Sequence, residues 1–128
     1  MSKILIVEDY DSLQKIYQMG LTLAGYEVEV AQDGAQALEM AGKQHYDLIL
    51  LDILLPKKSG IKFLHEFQPK RRTPPVKVIA ISNAPTQDIM EEAYKHGVDR
   101  FLTKLNVVPM EIADVIREVL AEKPAARA

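Results

Sequence analysis

The sequence predicts an α/β fold in which five parallel strands form a sheet covered by helices on both faces. Three observations carry that expectation. Strand-like and helix-like stretches alternate along the whole of the 128 residues, the pattern that links parallel strands through helical crossovers. Leu48 to Leu51 is an unbroken apolar run of strand length, as a strand buried on both faces requires. Ile112, Val115, Ile116, Val119 and Leu120 recur at i, i+3, i+4, i+7 and i+8, the spacing of one helix face.

Taken in order, Ile4 to Val7 is apolar and largely β-branched, hence a strand, and it ends at Glu8-Asp9. Asp11, with Gln14 three residues on, predicts a helix start; Leu13, Ile16, Leu23 and Ala24 are its expected inward stripe and Gly25 its stop. Val28-Glu29-Val30 alternates as a half-exposed edge strand does. Asp33, followed by Gln36, predicts the cap of a second helix that turns Ala37, Leu38 and Ala41 inward. The Leu48 strand ends at Asp52, and Pro56 and Gly60 mark a loop. A short helix after Ser59-Gly60 contains Ile61 and Leu64, and Pro74-Pro75 breaks the chain. Val76 to Ile81 predicts a fourth strand ending at Ser82. Thr86 or Asn83 caps a fourth helix with Ile89 and Ala93 inward and Gly97 at its end. Phe101-Leu102 is a short fifth strand running into Lys104. Pro109 suits a first helical position, and Pro124 stops the last helix.

Composition narrows the function. Hydrophobic residues at 48% and charged residues at 27% are those of a folded domain with a core. A net charge of -2 supplies no basic footprint for direct nucleic-acid binding. Without cysteine there is neither a disulfide framework nor a thiolate metal site. His45, His65 and His96 lack ligand spacing, and Lys70-Arg71-Arg72 reads as a solvated loop. No apolar segment is long enough to span a bilayer, and no leader precedes the first strand, so a cytoplasmic protein with no membrane contact is expected. One domain over 1–128 is expected, with a core over 3–122 and a short tail at 123–128.

In open α/β sheets, ligands bind outside the carboxyl ends of the strands. Four of the expected strands end there in a polar group: Glu8-Asp9, Asp52, Ser82 and Lys104. Singly, each has an ordinary explanation as a helix lead-in, a turn residue or a solvated lysine; their coincidence is the signal. A lone carboxylate at the mouth of an apolar strand needs either a raised pKa or a positive neighbour. Two carboxylates ~4 Å apart repel by roughly 4 kcal/mol at an effective dielectric near 20. A divalent cation removes that penalty, and hard oxygen ligands suit Mg²⁺.

These residues resemble the receiver domain of two-component response regulators. The resemblance runs from Ile4 to Leu120 and rests on Ile-Val-Glu-Asp at 6–9, on Asp52-x-x-x-Pro56-x-x-x-Gly60, on Ser82 and on Lys104. It implies a doubly wound, flavodoxin-like (βα)5 sheet of order 2-1-3-4-5. It also implies that Asp52 takes a phosphoryl group from a histidine kinase, a phosphotransfer protein or a small acyl phosphate, forming an aspartyl phosphate. Asp9, Asp52 and the Leu54 backbone carbonyl would hold Mg²⁺, with Glu8 acting through metal-bound water. Lys104 and Ser82 would bind phosphoryl oxygens. Ser82 and Phe101 would then switch the surface made by the fourth helix, fifth strand and fifth helix; Phe101 as plain core carries similar weight. The product is a signalling phosphoacceptor rather than an enzyme, acting on a protein target that the sequence does not name.

Three positions depart from the family pattern. Leu105 follows Lys104 where the family usually has proline, so a trans bond is expected there, since a non-proline cis bond costs ~2.5–4 kcal/mol. Asn83 replaces a small residue after Ser82, so its amide either narrows access to Asp52 or offers the phosphoryl a donor. Arg100, beside Asp99, interrupts an acidic pair common in receivers that dimerise to drive DNA-binding domains, leaving at most a weak or phosphorylation-dependent dimer. The alternative function is a Mg²⁺-dependent phosphatase or phosphotransferase with a covalent aspartyl phosphate. Such enzymes usually carry an acid two residues after the nucleophile, and that position is Leu54. No output domain lies within these residues.

Overall fold

The computed structural model describes residues 2–55, 59–83, 85–104 and 109–122. Pro56 and the two lysines after it, the bond between 104 and 105, and the Pro124 stop with its tail all fall outside the described residues. The elements are β1 (Lys3–Val7), α1 (Asp11–Leu23), β2 (Glu27–Ala31), α2 (Gly34–Lys43), β3 (Leu48–Asp52), α3 (Gly60–Phe67), β4 (Lys77–Ser82), α4 (Gln87–Lys95), β5 (Arg100–Thr103) and α5 (Pro109–Ala121). A 3-10 turn over Pro69–Arg71 follows α3. All strands pair in parallel, in the order β2-β1-β3-β4-β5.

Strand alternation sorts the core into two layers. Ile4, Ile6, Leu48, Leu50, Ile79 and Ile81 pack against Tyr17 and Leu21 of α1 and Ile112, Ile116 and Val119 of α5. Their neighbours Leu5, Val7, Ile49, Leu51, Val78 and Ala80 face α2, α3 and α4. Because β1, β3 and β4 are sandwiched between both layers, their interiors are apolar, and polar residues stand only at their ends: Lys3 and Lys77 at the starts of β1 and β4, Asp52 and Ser82 at the carboxyl ends of β3 and β4. β2 pairs only with β1 and stays half exposed, as an edge strand should.

The helix caps follow local chemistry. Asp33 Oδ1 accepts from Gln36 N at 2.8 Å, and Gln36 Oε1 reaches back to Gln32 N at 2.7 Å. Ser59 and Thr86 cap α3 and α4 by accepting from Lys62 N and Ile89 N. The first helix corrects the expectation. Its cap position is Tyr10, with no side-chain cap, and the Gln14 amide donates to the Glu8 carbonyl instead. The buried stripe is Tyr17 and Leu21 with Leu13 partly covered, while Ile16, Leu23 and Ala24, expected inward, are exposed. Residues 13, 17 and 21 advance by four along the face toward β1; 16 and 23 sit on its flank.

The basic run after α3 is not a free loop. Lys70 Nζ donates to Asp99 Oδ2 at 2.5 Å and to the Val76 carbonyl at 2.9 Å. Arg72 lies over the Phe67 ring at 4.2 Å and donates to the Phe67 carbonyl. Arg100 is engaged within its own chain, 2.8 Å from Glu122 and 3.4 Å from Glu118.

Candidate functional site

The carboxyl ends of the strands bring the expected residues together. Beyond Val7 the backbone keeps pairing for one more residue, Glu8 N to Ala31 O at 3.1 Å, which carries Glu8 into the interior at 1% exposure. Asp52, at 3% exposure, closes β3, and Ile53 N bonds to Ile81 O at 3.1 Å to hold the strand end in register. Leu54 N donates to Asp52 Oδ1 at 3.0 Å, so the turn orients the carboxylate it follows. Gly60 makes this turn possible. A Cβ there would stand 2.7 Å from Ile53 Cα and 2.9 Å from the Asp52 carbonyl, and the Gly60 amide bonds Ile53 O.

Lys104 enters from β5, two strands from β3, a span of roughly 10 Å that its four-carbon stem can bridge. Its Nζ lies 2.8 Å from Asp52 Oδ2 and 2.7 Å from Glu8 Oε1. Burial works against the Lys104 ammonium, yet hydrogen bonds and attraction from Asp52 and Glu8 hold its pKa above the ordinary lysine value. For Glu8, burial dominates and raises the carboxyl's pKa, helped by the Asp52 charge and opposed by Lys104 and the Tyr10 amide. Glu8 Oε1 is close to Nζ but off the hydrogen-bonding direction, and has no hydrogen-bond partner among the described residues.

The expectation that Glu8 acts at one remove therefore meets a direct ion pair to Lys104. Asp9 is exposed beside it, and one carboxylate oxygen from each of Glu8, Asp9 and Asp52 lies within 4.8 Å of the others. Hard oxygen donors from three clustered carboxylates, of which the single ammonium of Lys104 offsets only part of the charge, fit a divalent cation.

Ser82 sits at the end of β4, between the strands of Asp52 and Lys104, and is fully buried. It is Asn83 that faces the cavity above Asp52. Phe101 is partly buried against the core layer of α2, α3 and α4. The cavity, about 400 Å³, has Glu8, Asp9, Asp52 and Lys104 as its charged floor and Tyr10, Leu13, Leu54 and Asn83 as its rim. Tyr10 and Leu13 escaped the reading of the sequence, although Tyr10 directly follows the acidic pair. A second cavity of about 300 Å³, between α3 and the end of α4, is lined by His65, Lys70, Arg71, Lys95 and His96 among others and does not include Asp52.

A parallel 2-1-3-4-5 sheet with this acid and lysine pocket at its carboxyl end defines a class. The profile of the response regulator receiver domain matches residues 4–117, and the chain belongs to that family. Among particular proteins, it is 32% identical over 121 residues to the response regulator ArlR of Staphylococcus saprophyticus, covering 94% of this chain and 52% of that protein. Against ArlR of Staphylococcus aureus strain Mu50 it is 32% identical over 127 residues, covering 97% and 55%. The chain thus spans about half the length of these curated relatives. Among solved structures, a CheY-like receiver domain protein of Methanospirillum hungatei JF-1 superposes with TM-score 0.87 at 28% identity, covering 94% of each chain. The chemotaxis protein CheY4 of Vibrio cholerae superposes with TM-score 0.85 at 27% identity, covering 93% of this chain and 98% of that one. No helix among the described residues is long and apolar enough to cross a membrane.

Proposed function

We propose that this domain is a cytoplasmic phosphoacceptor in which Asp52 takes a phosphoryl group from the phosphohistidine of a histidine kinase or phosphotransfer protein, or from a small acyl phosphate. One observation carries the reading: a buried carboxylate held at both oxygens, by Leu54 N at 3.0 Å and Lys104 Nζ at 2.8 Å, with Glu8 and Asp9 alongside. An Asp52 oxygen attacks phosphorus, the bond from phosphorus to the donor nitrogen or oxygen breaks, and its electron pair leaves with the donor. Lys104 turns from the carboxylate it now pairs with to an oxygen of the incoming group, keeping an ammonium beside the same negative charge. Ser82, adjacent on β4, donates to another oxygen. Glu8, Asp9, Asp52 and the Leu54 carbonyl are the groups that would hold Mg²⁺. That ion, when bound, offsets the negative charge shared by the pocket and the phosphoryl oxygens.

The signalling output follows from a change in which conformation the modified site favours, with Ser82 and Phe101 as the linking residues and a protein as target. Arg100 of β5, tied to Glu118 of α5 and to Glu122 just beyond it in the same chain, is already engaged, so any dimer is weak or depends on phosphorylation. A phosphatase or phosphotransferase is disfavoured, because Leu54 stands 54% exposed where a second acid would be needed.

The test is incubation with Mg²⁺ and acetyl phosphate followed by intact mass. One base-labile phosphoryl group is expected on the native chain and none on Asp52→Asn. Equal labelling of the variant would move the acceptor elsewhere.

A further inference from the structure

The cavity between α3 and the end of α4 gathers charge that the acceptor site does not use. Its volume is about 300 Å³, and His65, Lys70, Arg71, Lys95 and His96 around it carry positive charge or gain it on protonation. The whole chain has a net charge of -2, so this face runs against the balance of the molecule. Two of the five are already matched: Lys70 Nζ lies 2.5 Å from Asp99 Oδ2, and His96 Nε2 lies 3.1 Å from Glu92 Oε1. Arg71 and Lys95 are not. Among the described residues neither side chain has an ion pair or a hydrogen bond.

Part of this charge has an ordinary role, because the cavity sits at the carboxyl ends of α3 and α4, where cations offset the helix dipole. That role explains a cation at each helix end. It explains neither their convergence on one concave surface nor Gln68. Gln68 caps α3 at φ 53°, the only left-handed non-glycine residue among those described, where glycine would sit without strain. It lines the cavity, and its side-chain amide has no partner among the described residues. The walls are fastened to each other. Gly97 lies so close to the 3-10 turn that a Cβ there would stand 3.2 Å from Pro69 Cγ and from Lys70 Cγ. Lys70, bonded to Asp99 and to the Val76 carbonyl, holds that turn to the chain entering β4 and β5. The backbone that carries the free donors is therefore preorganised.

We propose that this cavity binds the phosphate group of a small phosphorylated molecule, with Arg71 and Lys95 as its charge partners and Gln68 and His65 as further donors. A guanidinium presents a planar fork that matches two phosphate oxygens, and an ammonium adds a point charge. A phosphate monoester, carrying about -1.5 to -2, offsets both unpaired cations at once. The space exceeds that of a phosphate ion and leaves room for an organic group against Leu64 and the His65 and His96 rings, which meet edge to face at 5.4 Å. Asp52 is not part of this cavity, so the inference stands apart from the acceptor reading. The site binds and does no chemistry.

The experiment titrates the full chain, without divalent cations, with inorganic phosphate, adenosine monophosphate and adenosine, and follows backbone amides by NMR; sodium chloride at matched ionic strength is the control. None of these probes is an acyl phosphate, so Asp52 stays unmodified. Phosphate and adenosine monophosphate should shift the amides of Gln68, Arg71, Lys95 and Gly97, the ester binding at least as tightly as the ion, while adenosine and chloride leave them in place. Arg71→Gln should weaken both ligands roughly tenfold or more and Lys95→Gln roughly threefold. Lys43→Gln, at an exposed lysine of α2 outside this cavity, should bind as the native chain does. Arg71 and Lys95 are exposed, so their substitution leaves the core intact, and thermal melts check that each variant is folded. Variants that melt lower but bind phosphate with native affinity would leave the two cations as helix-end charges and overturn the inference. Amide shifts that sodium chloride reproduces overturn it too, as does the absence of any shift with phosphate and the ester. Adenosine bound as tightly as its monophosphate, or the ester bound more weakly than the free ion, overturns it as well.

Discussion

Lys104 is the residue on which the pocket balances. It is 9% exposed at the side chain and neutralises part of a three-carboxylate cluster in which Glu8 and Asp52 are almost fully buried. Removing one partner of a buried ion pair leaves the other charges uncompensated, at a cost on the order of 3 kcal/mol. Lys104→Ala should therefore lose that much stability in urea melts at neutral pH without divalent cations, and Mg²⁺ should restore more to the variant than to the native chain. A variant as stable as native would mean that the carboxylates are relieved by water and not by the ammonium. The same variant should still accept some phosphoryl group while signalling weakly. Asp9 is tested by linkage: a cation that binds only the folded state adds RT ln(1 + [L]/Kd), about 2.7 kcal/mol at a hundredfold excess over Kd. Asp9→Asn should lose most of the melting-temperature gain that Mg²⁺ gives the native protein, and an undiminished gain would remove Asp9 from the ligand set.

At the scale of elements, the turn from β3 into α3 is where packing and function meet. Gly60 lies so close to the backbone of Asp52 and Ile53 that a methyl group has no space, and backbone cannot yield as a flexible side chain can. Gly60→Ala should cost about 1–3 kcal/mol through overpacking. Because the displaced atoms belong to the acceptor's own turn, phosphorylation by acetyl phosphate should slow as well; a variant with native stability and native labelling would show that the turn is looser than its contacts imply. What could be read in the sequence follows the same division between local and distant. Asp33, Ser59 and Thr86 were legible as helix starts because a cap and its target amide are three residues apart. Helix α1 was legible in its start at Asp11 but not in its phase, which is decided by β1 and α5; they bury Tyr17 and leave the more hydrophobic Ile16 and Leu23 outside. Lys70 looked like a solvated charge because its acceptor, Asp99, is 29 residues away. The acid pocket could be assembled from residues nearly a hundred positions apart only because parallel strands must all end on the same side. Of its rim, Asn83 was legible as the neighbour of Ser82, while Tyr10 and Leu13 had no such rule to reveal them.

Across the whole molecule, the two ends of the sheet answer to pH differently, because away from the acid pocket the edge strand β2 is tied down by a second polar network. Tyr46, 1% exposed, donates its hydroxyl to Glu29 Oε1 at 2.5 Å and accepts from Gln44 at 2.8 Å, while Lys3 lies 3.2 Å from Glu29. The Tyr46 hydrogen bond is the main reason the Glu29 carboxyl sits below its ordinary value; burial opposes it, and Lys3 and Gln44 add to it. The Tyr46 phenol is pushed well above its usual range, by burial first, by its hydrogen bond to Glu29 second and by the Glu29 charge third. A carboxyl with a lowered folded pKa binds fewer protons folded than unfolded, so its contribution is complete above the unfolded pKa and fades as pH falls through the folded one. A phenol with a raised folded pKa does the reverse: its contribution is complete below the unfolded value and fades as pH rises toward the folded one. Tyr46→Phe keeps the ring and removes both effects. The stability lost should be about 1 kcal/mol at neutral pH, moderated because Glu29 is about a third exposed. Measured by urea melts across pH, the gap between native and variant should be widest on the neutral plateau and narrow on both the acid and alkaline sides. A gap of constant size would mean that the hydroxyl stabilises through packing alone and that Glu29 titrates as a free surface carboxylate.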